Sequence, residues 1–295
     1  MTPLRQQMLD AMTVRGFAAR TQETYVEALA RMACYFKRSP AELSAAEIET
    51  YMLYLVKERK LSFSSVNQLS AASRFLFTHV LGKPEQGERA LPPVARTPQR
   101  RPELLAREQL AQLFAHCSSP TTRMLLQTMY ACGLRITEGL ALRTDDIDSA
   151  PDRMCVRVVS GKGSVDRYTV LSPTLLGLLR EHCRRHHCRQ HPKHWLFANP
   201  DTQEPLSTSG VQRHYAAARR GAGITKAGST HTLRHCFATH LLEAGIDLHT
   251  ISRLLGHQHL QTTSRYLHLI SPQFKPPRTA DPLDLLAGLL QPRWH

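Results

Sequence analysis

A mostly helical protein with one small antiparallel sheet is the fold class this sequence predicts. Three observations point there. Apolar residues recur at helical spacing through the first 82 residues, with no strand signal among them. One hairpin signal follows in mid-chain, two short β-rich runs around Gly161, Lys162 and Gly163. Helical phrases then resume and continue to about residue 267.

In the first region, Leu4, Met8 and Met12 mark one helix, and Tyr25, Leu29, Met32 and Phe36 a second. The third has a local start signal. Ser44 and Glu47 stand three apart and form a capping box ahead of Ile48, Tyr51, Met52 and Leu55. A fourth helix is expected from about Ser64 to Val80, burying Val66, Leu69, Phe75 and Leu76. Residues 1–82 thus read as a small all-helical domain. Residues 83–103 read as a basic linker, because Pro84, Pro92, Pro93, Pro98 and Pro102 break regular structure while Arg96, Arg100 and Arg101 add charge.

The second domain, residues 104–272, opens with helical phrases at Arg107–Cys117 and Thr121–Ala131. Residues 154–159 and Arg167–Leu171 read as paired strands with Lys162 at the hairpin tip. Helices are expected at about 173–188, 208–222, 230–243, 248–255 and 260–267. Residues 273–295 form a tail in which Leu283–Leu290 is a short apolar helix, placed either on its own domain or on a neighbouring subunit.

Composition bounds the function. With 42% apolar and 21% charged residues among 295, the chain can bury a core in one or two domains. Its net charge of +14 favours a polyanionic partner and salt-sensitive binding. Residues 104–295 carry 23 Lys and Arg against 14 Asp and Glu, and residues 1–82 carry 10 against 7, so the larger part is the main electrostatic footprint. Seven scattered cysteines suggest no disulfide framework. No apolar run is long enough to span a bilayer and the N-terminus lacks an apolar signal core, so a cytoplasmic location and no membrane partner are expected.

Five phrases carry chemistry. In the first, a glycine turn leads into a short helix at Arg135, where a guanidinium fork can meet two phosphate oxygens, and Glu138 one turn on can orient it. In the second, glycines present Lys162, an ammonium able to give a proton to a leaving oxygen; the spacing is not that of a P-loop. In the third, His231 and Arg234 stand three apart on one helix and point together, pairing a proton carrier with a second phosphate clamp, while Leu233 and Phe237 pack inward. The fourth ends its helix at Gly256 and follows with His257. The fifth holds Tyr266, a candidate nucleophile because of what precedes it. Each alone has a plain structural reading: a surface ion pair, a solvated lysine, a core histidine, a half-buried tyrosine.

Together, the phrases GLRITEGLAL, SGKGS, HTLRHCFATHLLEAG and LLGHQHLQTT, ending at Tyr266, resemble the tyrosine recombinases of the phage-integrase type over most of residues 103–270. Residues 1–82 resemble, more weakly, the SAM-like helical core-binding domain of that family. The resemblance implies a catalytic domain over 104–272. In it, Arg135 and Arg234 would hold the scissile phosphate, Lys162 would protonate the departing 5′ oxygen and His231 would assist proton transfer. His257 would support the phosphate, and Tyr266 would attack to give a 3′-phosphotyrosine. It further implies double-stranded DNA with a specific recombination site, self-association into a tetramer on that DNA, strand exchange through a Holliday junction, and no metal, nucleotide or other cofactor. Accessory proteins are not specified. A type IB-like topoisomerase would carry a similar residue set, but the helical N-terminal region and the LLGH phrase argue against it. A non-catalytic DNA-binding accessory protein is disfavoured by six intact candidate residues.

Departures from the family pattern are local. Val165 stands where many relatives carry a second lysine, and Cys236 replaces a commoner hydroxyl residue. The Pro-rich tail is closer to integrases of integrons and other mobile elements than to chromosome-dimer recombinases, although the insert typical of integron integrases is absent. Residues 182–194 hold Cys183, Cys188 and five histidines, but their spacing fits no ordinary zinc pattern and a helix would split them over several faces, so no metal is expected.

Overall fold

The computed structural model describes residues 2–85, 103–159, 166–191, 193–199, 201–226, 228–257, 259–264 and 266–267. The chain divides into two compact units, Met1–Arg100 and Arg101–His295. No described helix is long and apolar enough to cross a membrane.

In the first unit, Thr2 caps α1 (Pro3–Val14), with proline at the position whose N–H a helix does not need. α2 (Ala19–Phe36) buries Ala28, Leu29 and Met32. The expected capping box starts α3 (Ala45–Lys57): the Ser44 hydroxyl accepts from the Glu47 N–H, and the Glu47 carboxylate accepts from the Ser44 N–H at 2.8 Å. α4 (Phe63–Phe75) is capped by Ser62. The single helix expected to Val80 instead widens at Leu76–Val80 into a π-helical turn, which buries Leu76 and Phe77. Met8, Met12, Met32, Ile48, Leu76 and Phe77 are the heart of this core. Most of the expected linker, and all of the tail, lie outside the described residues.

The second unit packs helices around a small sheet. α5 (Arg107–Ala115) and α6 (Pro120–Cys132) lead into the short α7 (Ile136–Leu140). The sheet is antiparallel in the order β1-β2-β3, from β1 (Ile147–Asp148), β2 (Cys155–Val158) and β3 (Arg167–Val170). β2 and β3 are the expected hairpin strands; the two-residue β1 is an addition. Val156 faces Thr169 and Val158 faces Arg167 in the register. The inner face of β3 is therefore Arg167 and Thr169, both buried, while Tyr168 and Val170 are exposed. An arginine on the buried face of a strand needs a charged partner, and that need locates the site described below.

Four helices complete the unit: α8 (Pro173–His186), α9 (Thr208–Gly221), α10 (His231–Glu243) and α11 (Leu248–Leu255), with a last short turn, α12 (Leu260–Ser264). The helix expected to reach residue 267 thus stops at Ser264, and Tyr266 follows it. α10 is buried along most of its length, with Leu233, Cys236, Phe237 and Ala238 in the core.

Candidate active site

Gly133 ends α6 in the left-handed conformation, φ 63°, and a Cβ there would meet the Phe237 ring at 2.5 Å. The tight turn delivers Arg135 to the position just before α7. There its backbone N–H donates to Glu138 Oε2 and its guanidinium to Glu138 Oε1, both at 2.7 Å. Glu138 does orient Arg135, as its spacing suggested.

Glu138 also serves two further arginines. Arg167 donates from Nη1 and Nη2 to the two carboxylate oxygens at 2.8 Å each, a bidentate fork, while its Nε donates to the Leu254 carbonyl at 2.9 Å. Arg234 approaches Glu138 Oε2 at 3.7 Å and donates to the carbonyls of Gly133 at 2.7 Å and Leu255 at 2.6 Å. The Leu254 and Leu255 carbonyls lie in the last turn of α11, where helix carbonyls lack intrahelical donors and the helix dipole is negative; guanidinium groups meet both needs.

The electrostatics follow. Burial alone would raise the Glu138 pKa, but the hydrogen bonds and charge of Arg167, then of Arg135, hold it down at about 2. Arg234 is pushed down to about 10, first by burial and then by the nearby Arg135 charge, so it stays protonated at neutral pH. One carboxylate against three guanidinium groups leaves the cluster two positive charges in excess. Arg135, its side chain 44% exposed, is where that excess is open to a ligand.

Gly256 closes α11 with φ 65°, and a Cβ there would lie 2.6 Å from Arg167 Cδ. His257 follows, its Nδ1 hydrogen-bonded with the Thr263 hydroxyl at 2.7 Å. Its ring lies parallel to that of Tyr266, centroids 6.4 Å apart. Tyr266 packs among Phe237, Ala238, Leu242, Ile251 and Leu255 at 2% exposure. Its hydroxyl hydrogen-bonds with His235 Nδ1 at 3.1 Å.

Of the six residues singled out by sequence, the structure brings Arg135 and Arg234 to one carboxylate, Glu138, and stacks His257 with Tyr266 beside the end of α11. His231 is on the same helix as Arg234, but at a different depth: its side chain is exposed and Arg234 is buried. Arg234 faces the carbonyls of two neighbouring segments, whereas His231 opens the helix. Lys162 lies outside the described residues. Sequence reasoning assigned no role to Arg167 or His235. For Arg167 the signal was a charge in alternation with inward-facing residues, and for His235 it was a position one turn beyond His231. Near residue 190, His182 Nε2 and the Cys188 thiol both meet the Leu196 carbonyl, at 3.0 and 3.6 Å.

Converging guanidinium groups with excess positive charge can hold a phosphate or similar oxyanion. Comparison with known proteins narrows that class. Residues 103–271 match the model of the Phage integrase family, and residues 4–86 that of the phage integrase N-terminal SAM-like domain. The chain belongs to the phage integrase family of tyrosine recombinases. It is 39% identical to a Sinorhizobium fredii protein named "Putative integrase/recombinase y4qK", over 97% of this chain and 90% of that one. It is 32% identical to an Escherichia coli integrase/recombinase, over 99% and 97%, and 29% identical to tyrosine recombinase XerD of Listeria innocua, over 88% and 92%. Its fold matches that of a lambda integrase dimer bound to a COC′ core site, with a TM-score of 0.69, 18% identity and coverage of 88% and 95%.

Proposed function

We propose that this chain is a site-specific recombinase that cleaves and rejoins DNA through a 3′-phosphotyrosyl intermediate and a Holliday junction, in DNA integration or recombination. One observation carries the reading. The Tyr266 hydroxyl is hydrogen-bonded at 3.1 Å to His235, which adjoins Arg234 on α10, so the phenol is held beside the helix that carries one arginine of a cluster with charge to spare. A phenol with an ordinary pKa of about 10 is a poor nucleophile alone; it becomes a good one where a proton acceptor and a charge-stabilised phosphate are both at hand.

In this mechanism Arg135 and Arg234 bind the scissile phosphate and offset the charge that builds as phosphorus becomes pentacoordinate. Tyr266 attacks, Lys162 protonates the leaving 5′ oxygen, His231 carries protons and His257 supports the phosphate. The covalent link conserves the phosphodiester bond energy, so rejoining requires no nucleotide, and no step requires a metal.

Residues 1–82 form a DNA-binding half and residues 104–272 the catalytic half, joined by the basic segment 83–103, with residues 273–295 as a tail. The partner is double-stranded DNA carrying a specific site, on which four copies assemble. A lambda integrase tetramer bound to a Holliday junction, similar in fold to this chain, is consistent with that assembly (TM-score 0.67).

The reading is tested with a nicked suicide duplex carrying the recombination site, recovered by capturing covalently bound genomic fragments. Wild type is expected to form a protein–DNA adduct in EDTA, and Tyr266→Phe none. An adduct that persists in Tyr266→Phe, or one that needs added metal, overturns it.

A further inference from the structure

We infer that His235 is a further catalytic residue, the immediate acceptor of the Tyr266 proton. The inference rests on the proposed nucleophilic role of Tyr266. His235 Nδ1 stands 3.1 Å from the Tyr266 hydroxyl oxygen, inside the reach a general base needs. The contact links residues 31 apart in sequence, so it is made by the fold and not by local chain geometry. Both partners are held: Tyr266 is buried, and His235 is half-buried on the long helix α10, between Arg234 and Cys236 of the core. The two rings lie 5.5 Å apart at 55°.

The arrangement gives the proton a way out. His231 stands one helical turn before His235 on the same face, its ring edge-on to that of His235 with centroids 4.5 Å apart. His231 is exposed where His235 is not. With its own proton on Nε2, His235 takes the phenolic proton at Nδ1 as the Tyr266 oxygen bonds to phosphorus. The bond from phosphorus to the 5′ oxygen breaks, and that oxygen takes a proton from Lys162. Charge and atoms balance: one phosphodiester is exchanged for another, and the imidazolium of His235 is discharged outward past His231. The discharge leaves from Nε2; on rejoining, Nδ1 gives its proton to the departing phenolate, Nε2 is reprotonated from solvent and the attacking 5′ hydroxyl returns its proton to Lys162.

The test uses the full chain and the nicked suicide duplex, reading the single-turnover rate of adduct formation. His235→Ala is expected to slow it on the order of 100-fold or more, the usual scale of a general base. DNA binding by gel shift should be unchanged, and added imidazole should restore part of the rate. His235→Asn places a hydrogen-bonding group where Nδ1 stood but cannot accept a proton, so it is expected to remain slow and serves also if the alanine variant folds poorly. Wild-type rates in His235→Ala, or full recovery in His235→Asn, overturn the proposal while leaving the nucleophile in place. So does imidazole rescue of His231→Ala with none of His235→Ala. Failure of the underlying reading shows separately, as an adduct in Tyr266→Phe.

Discussion

Arg167 grips Glu138 with both terminal nitrogens, each 2.8 Å from a different carboxylate oxygen, and this one pair links three of the segments that build the site. β3 supplies Arg167, the helix after Gly133 supplies Glu138, and the Nε of the same arginine reaches the Leu254 carbonyl at the end of α11. Because Glu138 also binds Arg135, the orientation of the exposed arginine depends on a buried one.

Arg167→Lys is therefore not a conservative change. An ammonium cannot reproduce the fork and reach Leu254 at the same time. Stability is expected to fall by about 2–3 kcal/mol, short of the cost of removing a buried ion-pair partner outright, because the charge is kept while the fork is lost. Adduct formation should fall further than DNA binding, because the bulk charge is kept. Urea unfolding together with gel shift and single-turnover cleavage checks both; wild-type behaviour in all three would remove Arg167 from this role.

The same pair sets an acid limit. The Glu138 pKa is lowered from 4.5 to about 2 in the folded protein. A lowered carboxyl stabilises the fold fully above the unfolded value, near pH 4.5, and that contribution is lost as pH falls through 2. It is expected to be on the order of 2–3 kcal/mol, allowing for some solvent screening. Urea unfolding between pH 7 and pH 2.5 should show a steeper loss for wild type than for Glu138→Gln, which starts lower and has no such group to titrate.

Gly256→Ala should disturb the site from behind. A methyl group there would sit 2.6 Å from Arg167 Cδ and 3.2 Å from Nε, at a backbone φ of 65° that side chains rarely adopt. Arg167 is tied at both ends and cannot swing away. A cost of about 2–3 kcal/mol is expected from strain and overpacking. Cleavage should fall with it, since His257 is the next residue. A thermal melt no different from wild type would contradict the crowding.

Much of this was readable in local sequence. The Ser44 and Glu47 box needs only residues three apart, and the turn at Gly133 needs only a glycine ahead of Arg135 and Glu138. β2 and β3 showed as β-rich runs beside a glycine turn. What stayed hidden depends on parity and depth. A two-residue strand such as β1 exists only because β2 is there to pair with it. Whether Arg167 faces in or out is decided by which side of the sheet the helices cover. Arg234 and His231 share a helix and a spacing, yet only packing against α6 and α11 buries one of them. His235 acquired its partner from Tyr266, 31 residues away, and no local pattern announces that.

Tyr266→Phe separates structure from chemistry. The ring keeps its place among Phe237, Ile251 and Leu255, and the hydroxyl is lost together with its hydrogen bond to His235. Stability should change by about 1 kcal/mol or less, with DNA binding intact and cleavage abolished. A large loss of stability would mean that the tyrosine is a core residue first.

Mass spectrometry of the trapped adduct is the most direct test of the central claim. After digestion of protein and DNA, a nucleotide phosphate is expected on the peptide containing Tyr266, joined through the 3′ phosphate and found in wild type alone. The same modification on any other residue, or an adduct carrying a 5′ phosphate, would contradict the account.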